Sequence, residues 1–164
     1  MKLTKPGQLR SFAAYPRCST DVNRMATEPT NAALEFHDSW LTSIAREGNT
    51  CTLVLDAFVH RSSGIAAVAA GTVWSQRVEL RCAGARVATP LPEPLLPIQL
   101  ADGVLSIRER RFENVVPLPT GLSDQVHVEL VAATGERMVV DAASAEVVLT
   151  GEARYVEEFP GSQD

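Results

Sequence analysis

From about residue 33 onward, apolar residues recur at every second position, and β-branched residues are abundant. A period of two is the signature of half-buried β-strands rather than of amphipathic helices. Thr50 to His60 is the clearest case. Leu53, Leu55, Ala57 and Val59 alternate with Thr52, Val54, Asp56, Phe58 and His60. The first set makes an apolar face and the second a mixed one, which predicts burial on one side and partial cover on the other. Glu35 to Arg46 precedes this strand, with Gly48-Asn49 between them, a dipeptide suited to the positive φ of a tight hairpin. A two-residue loop makes opposed residue numbers sum to 97. Ile44 then faces Leu53, Thr42 faces Leu55, and Trp40 faces Ala57 as a core residue. On the other side His37 lies directly opposite His60. A longer loop would shift every one of these pairs.

Further strands follow the same logic. Gly71 to Cys82 carries Trp74, Val78, Leu80 and Cys82 on one face and Ser75, Arg77, Glu79 and Arg81 on the other. The small-residue stretch Arg61 to Ala70 reads as a loop between strands. Arg86 to Ala88 starts a short strand that stops at the proline-rich run Thr89 to Pro97, which favours an extended, unpaired segment. Ile98–Ala101 and Val104–Val116 bracket Asp102-Gly103, a hairpin signal. Val126–Val131, Arg137–Asp141, Ala145–Thr150 and Gly151–Phe159 read as an antiparallel meander. The predicted fold class is all-β: an antiparallel β-sandwich or barrel-like sheet of about eight to ten short strands.

The chain has 164 residues, 45% hydrophobic and 21% charged, with a formal charge of -5 and a pI near 5.2. The acidic balance argues against nucleic acid as a partner. The longest nearly apolar run, Gly64 to Val73, is roughly half a membrane span, so no membrane association is expected. Charge is unevenly spread. Residues 1–24 hold Lys2, Lys5, Arg10, Arg17 and Arg24 against Asp21, and no lysine follows Lys5. The expected organisation is a flexible basic extension over residues 1–32, a single β domain over 33–160 and a short tail over 161–164. Cys18, Cys51 and Cys82 are odd in number and lack CxxC spacing. They are expected to be reduced thiols of a cytoplasmic protein rather than a disulfide framework or zinc site.

Two constellations carry candidate chemistry. His37 and His60, opposed on adjacent strands, with Glu35 two residues from His37, would form a two-histidine, one-carboxylate set for a divalent metal. Trp74 offers a stacking surface, and Gln76 on the same face and Arg61 in the neighbouring loop offer hydrogen bonds to a ligand. No catalytic residue is assigned. His37 and Asp38 are consecutive in a strand and point to opposite faces, so they do not make a triad. Arg108, Arg110 and Arg111, interleaved with Glu109 and Glu113, read as solvated ion pairs. The expected function is a non-enzymatic binding or interaction module for a protein or small-molecule ligand. Homo-oligomerisation through an exposed sheet face or edge fits this reading. A metal-dependent enzyme or metal-binding protein centred on the histidine pair is the first alternative, and a carrier of a small apolar ligand is the second.

Overall fold

The computed structural model describes residues 31–92, 95–118 and 123–161. The basic extension through residue 30, Cys18 with it, and residues 162–164 of the tail lie outside the described residues. Ten strands account for most of the rest: β1 (Asn31–Glu47), β2 (Thr50–Ser62), β3 (Gly71–Ala83), β4 (Arg86–Thr89), β5 (Ile98–Ile107), β6 (Arg110–Glu113), β7 (Val115–Leu118), β8 (Val126–Ala132), β9 (Arg137–Ala142) and β10 (Ser144–Phe159). The first strand starts earlier than the alternation suggests, because Ala32 and Ala33 are small apolar residues that tuck inside. No helix of the described residues is long and apolar enough to cross a membrane.

All strand pairs are antiparallel, and neighbours run β10-β3-β2-β1-β5-β8-β9-β4, with β6 added to β5 and β7 to β1. The path has two ends, so the sheet is open rather than a closed barrel. It folds over on itself at β1. The N-terminal part of β1 pairs with β7 through Ala32–Glu35, while Trp40 and Leu41 pair with β5. One hydrophobic cluster fills the fold, joining Leu53, Leu55, Val78 and Leu80 of the first half to Val128, Leu130, Met138 and Val140 of the second. Each such fully buried aliphatic side chain contributes roughly 1.5–3 kcal/mol. Cys51 and Cys82 sit in this core as opposed partners of β2 and β3, both as free thiols. Burial pushes the Cys82 thiol up to about 12, so it is held as an unreactive apolar side chain.

Two sequence expectations change. Asp102-Gly103 is no hairpin: both residues lie inside β5, opposite Val131 and Leu130 of β8. The turn falls instead at Arg108-Glu109, where Arg108 takes a φ of 53°. Gly103 is needed for a different reason, since a Cβ there would sit 2.5 Å from the Cβ and Cγ of Phe36. The last two predicted strands are one, β10, interrupted by a register shift between Thr150 and Arg154, with Gly151 at a φ of 69°. Among the arginines of the β5–β6 turn, Arg108 pairs with Asp124, Arg111 with Glu113, and Arg110 lies over the Phe112 ring. Arg111 thus pairs within the cluster as expected, whereas Arg108 takes its partner from outside it and Arg110 meets an aromatic ring instead.

Candidate functional site

The β1–β2 hairpin begins in the predicted register. Gly48 supplies the positive φ of the turn at 58°, and Ile44 faces Leu53. The register then slips near Thr42, so that Leu41 rather than Thr42 faces Leu55. It slips again between Glu35 and Trp40. Inside this second irregularity Asp38 adopts a φ of 61°. Ser39, fully buried, donates to the Glu35 carbonyl at 2.6 Å and accepts from the Phe58 amide at 3.4 Å. One hydroxyl thus satisfies two backbone groups that the broken ladder frees. Trp40 now pairs with Asp56 on the outer side and is 45% exposed, not a core residue.

The slip separates the expected metal set. Ala33, not His37, lies opposite His60. The His37 Nδ1–H donates to the Ala101 carbonyl at 2.6 Å, and its Nε2 lies 3.5 Å from Asp38. The Ala101 carbonyl first, and then the Asp38 carboxylate, hold this imidazole above its ordinary value. Glu35 and His60 do come together, at 2.6 Å between Oε2 and Nε2. Among the described residues no group of three or more His, Cys, Asp or Glu side chains is arranged to hold a metal ion. The three-ligand set of His37, His60 and Glu35 is therefore not assembled, because one strand irregularity turns a pair of facing imidazoles into an imidazole–carboxylate pair.

The histidine of that pair is enclosed, while Glu35 is half-buried. His60 is 8% exposed, and the Phe159 ring meets it edge-on at 5.4 Å between centroids. A carboxylate only accepts, so Nε2 carries the proton of this contact. Nδ1 is buried and finds no hydrogen-bond partner among the described residues. With no opening to solvent at that atom, the contact acts as a tie between β1 and β2.

The second constellation is brought together in full. Val59 and Trp74 are opposed, as are Ala57 and Gln76, so Trp74 and Gln76 continue the core-side face of β3 past the point where the second half of the sheet covers it. Arg61, at the end of β2, lies over the Trp74 ring at 5.1 Å and donates to Gln76 Oε1 at 3.3 Å. Gln76 Nε2 donates in turn to the Gly151 carbonyl at 3.3 Å, and Trp74 Nε1–H donates to Thr72 Oγ1 at 2.8 Å. Tyr155 of β10 is the register partner of Trp74 and meets it edge-on at 5.6 Å, with 54% of its surface exposed. Sequence reasoning missed Tyr155. Its only signal would have been the β3–β10 pairing, which depends on the shift at Gly151.

A third feature appears only in space. Ser106, His127, Asp141 and Arg86 are successive register partners across β5, β8, β9 and β4, on the outer face. They line an open groove of about 640 Å³ together with Arg108 and Gln125. Asp141 accepts from His127 Nδ1 at 2.8 Å and from Arg86 at 3.1 Å. The His127 hydrogen bond first, and then Arg86, hold the Asp141 carboxyl below its ordinary value. A depressed carboxyl contributes stability that is present above its unfolded pKa and is lost as pH falls through the folded one. The urea midpoint should therefore drop as the pH falls through and below the ordinary carboxylate range, and Asp141→Asn should flatten that drop; an unchanged acid limb in the variant would show that Asp141 plays no part in it. The side chain is partly open to solvent, so the change is a fraction of the whole acid transition. His127 Nε2 lies 3.9 Å from Glu129 and makes no bond to Ser106, so the row does not form a nucleophile–base pair. Compared with models of protein families, with curated proteins and with solved structures, the chain matches none.

Proposed function

We propose that the protein is a non-enzymatic binding module that recognises its ligand on the platform of Arg61, Trp74, Gln76 and Tyr155. The ligand class that fits is an anion, a carboxylate above all, attached to a flat apolar body. One observation carries this reading: the Arg61 guanidinium lies over Trp74 and is tethered to Gln76 while the residue remains exposed. A guanidinium held in this way presents a planar fork suited to a carboxylate, at a reduced entropic cost on binding. The exposed Tyr155 ring beside it offers the apolar contact. The Gln76 amide groups and the Trp74 N–H are already bonded within the cluster, which keeps the platform preorganised. The interior of the folded sheet is filled by side chains with no exposure, which favours a surface site over an internal carrier cavity.

Titration with indole-3-acetate and benzoate, followed by amide chemical shifts around Trp74, tests the reading. Saturable shifts centred on residues 61, 74, 76 and 155 are expected. Arg61→Gln should weaken binding about tenfold, the loss of roughly 1.4 kcal/mol from a charge-assisted contact. Absence of saturable shifts with both acids, or equal binding by the Arg61 variant, would overturn it.

A further inference from the structure

We propose that two copies of the chain pair edge to edge, with Ser144–Thr150 of β10 running antiparallel to the same segment of the second copy about a two-fold axis at Val147. This proposal is independent of the platform and its ligand. β10 stands at one end of the sheet, and among the described residues its one strand partner is β3. Over Ser144–Thr150 its register with β3 is unbroken, from Ala83 to Arg77. The segment reads Ser-Ala-Glu-Val-Val-Leu-Thr, with one charge and no proline, glycine or lysine. Free edges are normally blunted by charge, proline, bulges or shortness. The other end of the sheet obeys that rule: β4 has four residues, carries a register shift and runs into Pro90. On β10 the irregularities lie only beyond Thr150. Ser144–Thr150 is thus a regular edge with no second strand partner among the described residues, and its outward N–H and C=O groups would form roughly six to eight ladder bonds with a second copy.

The sequence of the segment selects both the occupant and the register. About Val147, residue numbers of the two copies sum to 294. On the core-side face Val147 meets Val147 of the second copy, and Leu149, 38% exposed, meets Ala145. On the outer face Glu146 meets Val148 and Ser144 meets Thr150, so no like charges are directly opposed. Centring on Glu146 would set that carboxylate against its own copy. Centring on Val148 would draw in Gly151 and Glu152, where the ladder breaks. The register about Val147 uses the whole regular run and nothing beyond it. It is isologous and closes as a dimer, leaving no further edge of the same kind.

The test uses the full chain with C18S as background, so that reactivity at residue 18 does not intrude. Sedimentation equilibrium should give twice the 17.7 kDa monomer mass. Under mild oxidation V147C should form a disulfide-linked dimer, because that position faces itself across the axis. E146C alone and V148C alone should stay unlinked, while a mixture of the two should cross-link to each other. A monomer at every concentration up to the solubility limit overturns the proposal. So does a dimer in which E146C or V148C links to itself as readily as V147C. All three positions retain the β3 register, and a native chemical-shift spectrum of each variant keeps misfolding separate from failure to pair.

Discussion

Gly103→Ala should destabilise the protein by about 3 kcal/mol, at the upper end of the overpacking range, although the sequence around Gly103 reads as a surface turn. The reason is the approach of Phe36. Its side chain is fully buried, and a methyl group at residue 103 would lie 2.5 Å from its Cβ and Cγ. Those atoms are anchored close to the β1 backbone and cannot swing aside as the tip of a long side chain would. The backbone at Gly103 is fixed as well: its N–H donates to Asp102 Oδ1 and Asn114 Oδ1, each at 2.9 Å, and its carbonyl accepts from the Asn114 N–H at 2.7 Å. Phe36 is held in turn by its own N–H, which donates to the Asn114 carbonyl at 2.7 Å. Three segments therefore converge on one α-carbon. Phe36→Ala alone should cost about 3–5 kcal/mol through the cavity it leaves. In that background Gly103→Ala should cost less than it does alone, because the contacts with the ring atoms Cγ and Cδ2 are gone while the one with the residue-36 Cβ remains. Urea unfolding of the two single variants and the double variant measures the coupling. Additive losses would mean that the strain at Gly103 has a source other than the Phe36 ring.

The same site shows where the sequence stops being informative. Asp102-Gly103 has the composition of a tight turn, yet glycine serves equally where another residue's ring must reach the backbone. Alternation tells which residues face the core within one strand. It does not tell which ring from a distant strand will need the space. The all-β class was legible for the opposite reason: two-residue periodicity is local, and Leu53, Leu55, Val78 and Leu80 all lie where it puts them. The hairpin at Gly48 was legible for the same reason. The histidine pair failed through accumulation. The register holds at Ile44, slips near Thr42 and slips again before Glu35, so an inference that spans the whole hairpin inherits both errors. Arg61, Trp74 and Gln76 lie at the far end of the next hairpin, where β2 and β3 pair without interruption from Thr50–Ala83 to Ser62–Gly71. Arg61 therefore ends a strand rather than opening a loop, and the uninterrupted ladder sets it beside Trp74 and Gln76, whereas Tyr155 lies behind the β10 irregularity, which alternation alone does not reveal.

Removing the Glu35 carboxylate should be the second costly change. In Glu35→Ala the His60 Nε2–H loses its acceptor, and the ring's other nitrogen already lacks a partner in a buried position. The imidazole would then be buried with neither nitrogen bonded. Leaving a buried group unsatisfied costs about 1–3 kcal/mol, and more where the lost partner is charged. A loss of about 2–3 kcal/mol is therefore expected for Glu35→Ala. Glu35→Gln keeps an oxygen in reach of Nε2 without the charge and should recover about half of it. The double replacement Glu35→Leu with His60→Phe removes every polar group at the contact while keeping the bulk. It should be close to neutral, because apolar side chains of similar volume commonly match or exceed a buried ionic contact. That pattern separates an isolated tie from an extended polar network, in which the double replacement would be as damaging as the single one. The tie also bears on the platform, since His60 and Arg61 are consecutive at the end of β2. If the Glu35 contact fixes the end of that strand, Glu35→Ala should broaden the amide signals of Arg61 and Trp74 and leave those of β8 and β9 unchanged. Uniform broadening across both halves of the sheet would instead identify a loss of global stability with no local role for the pair.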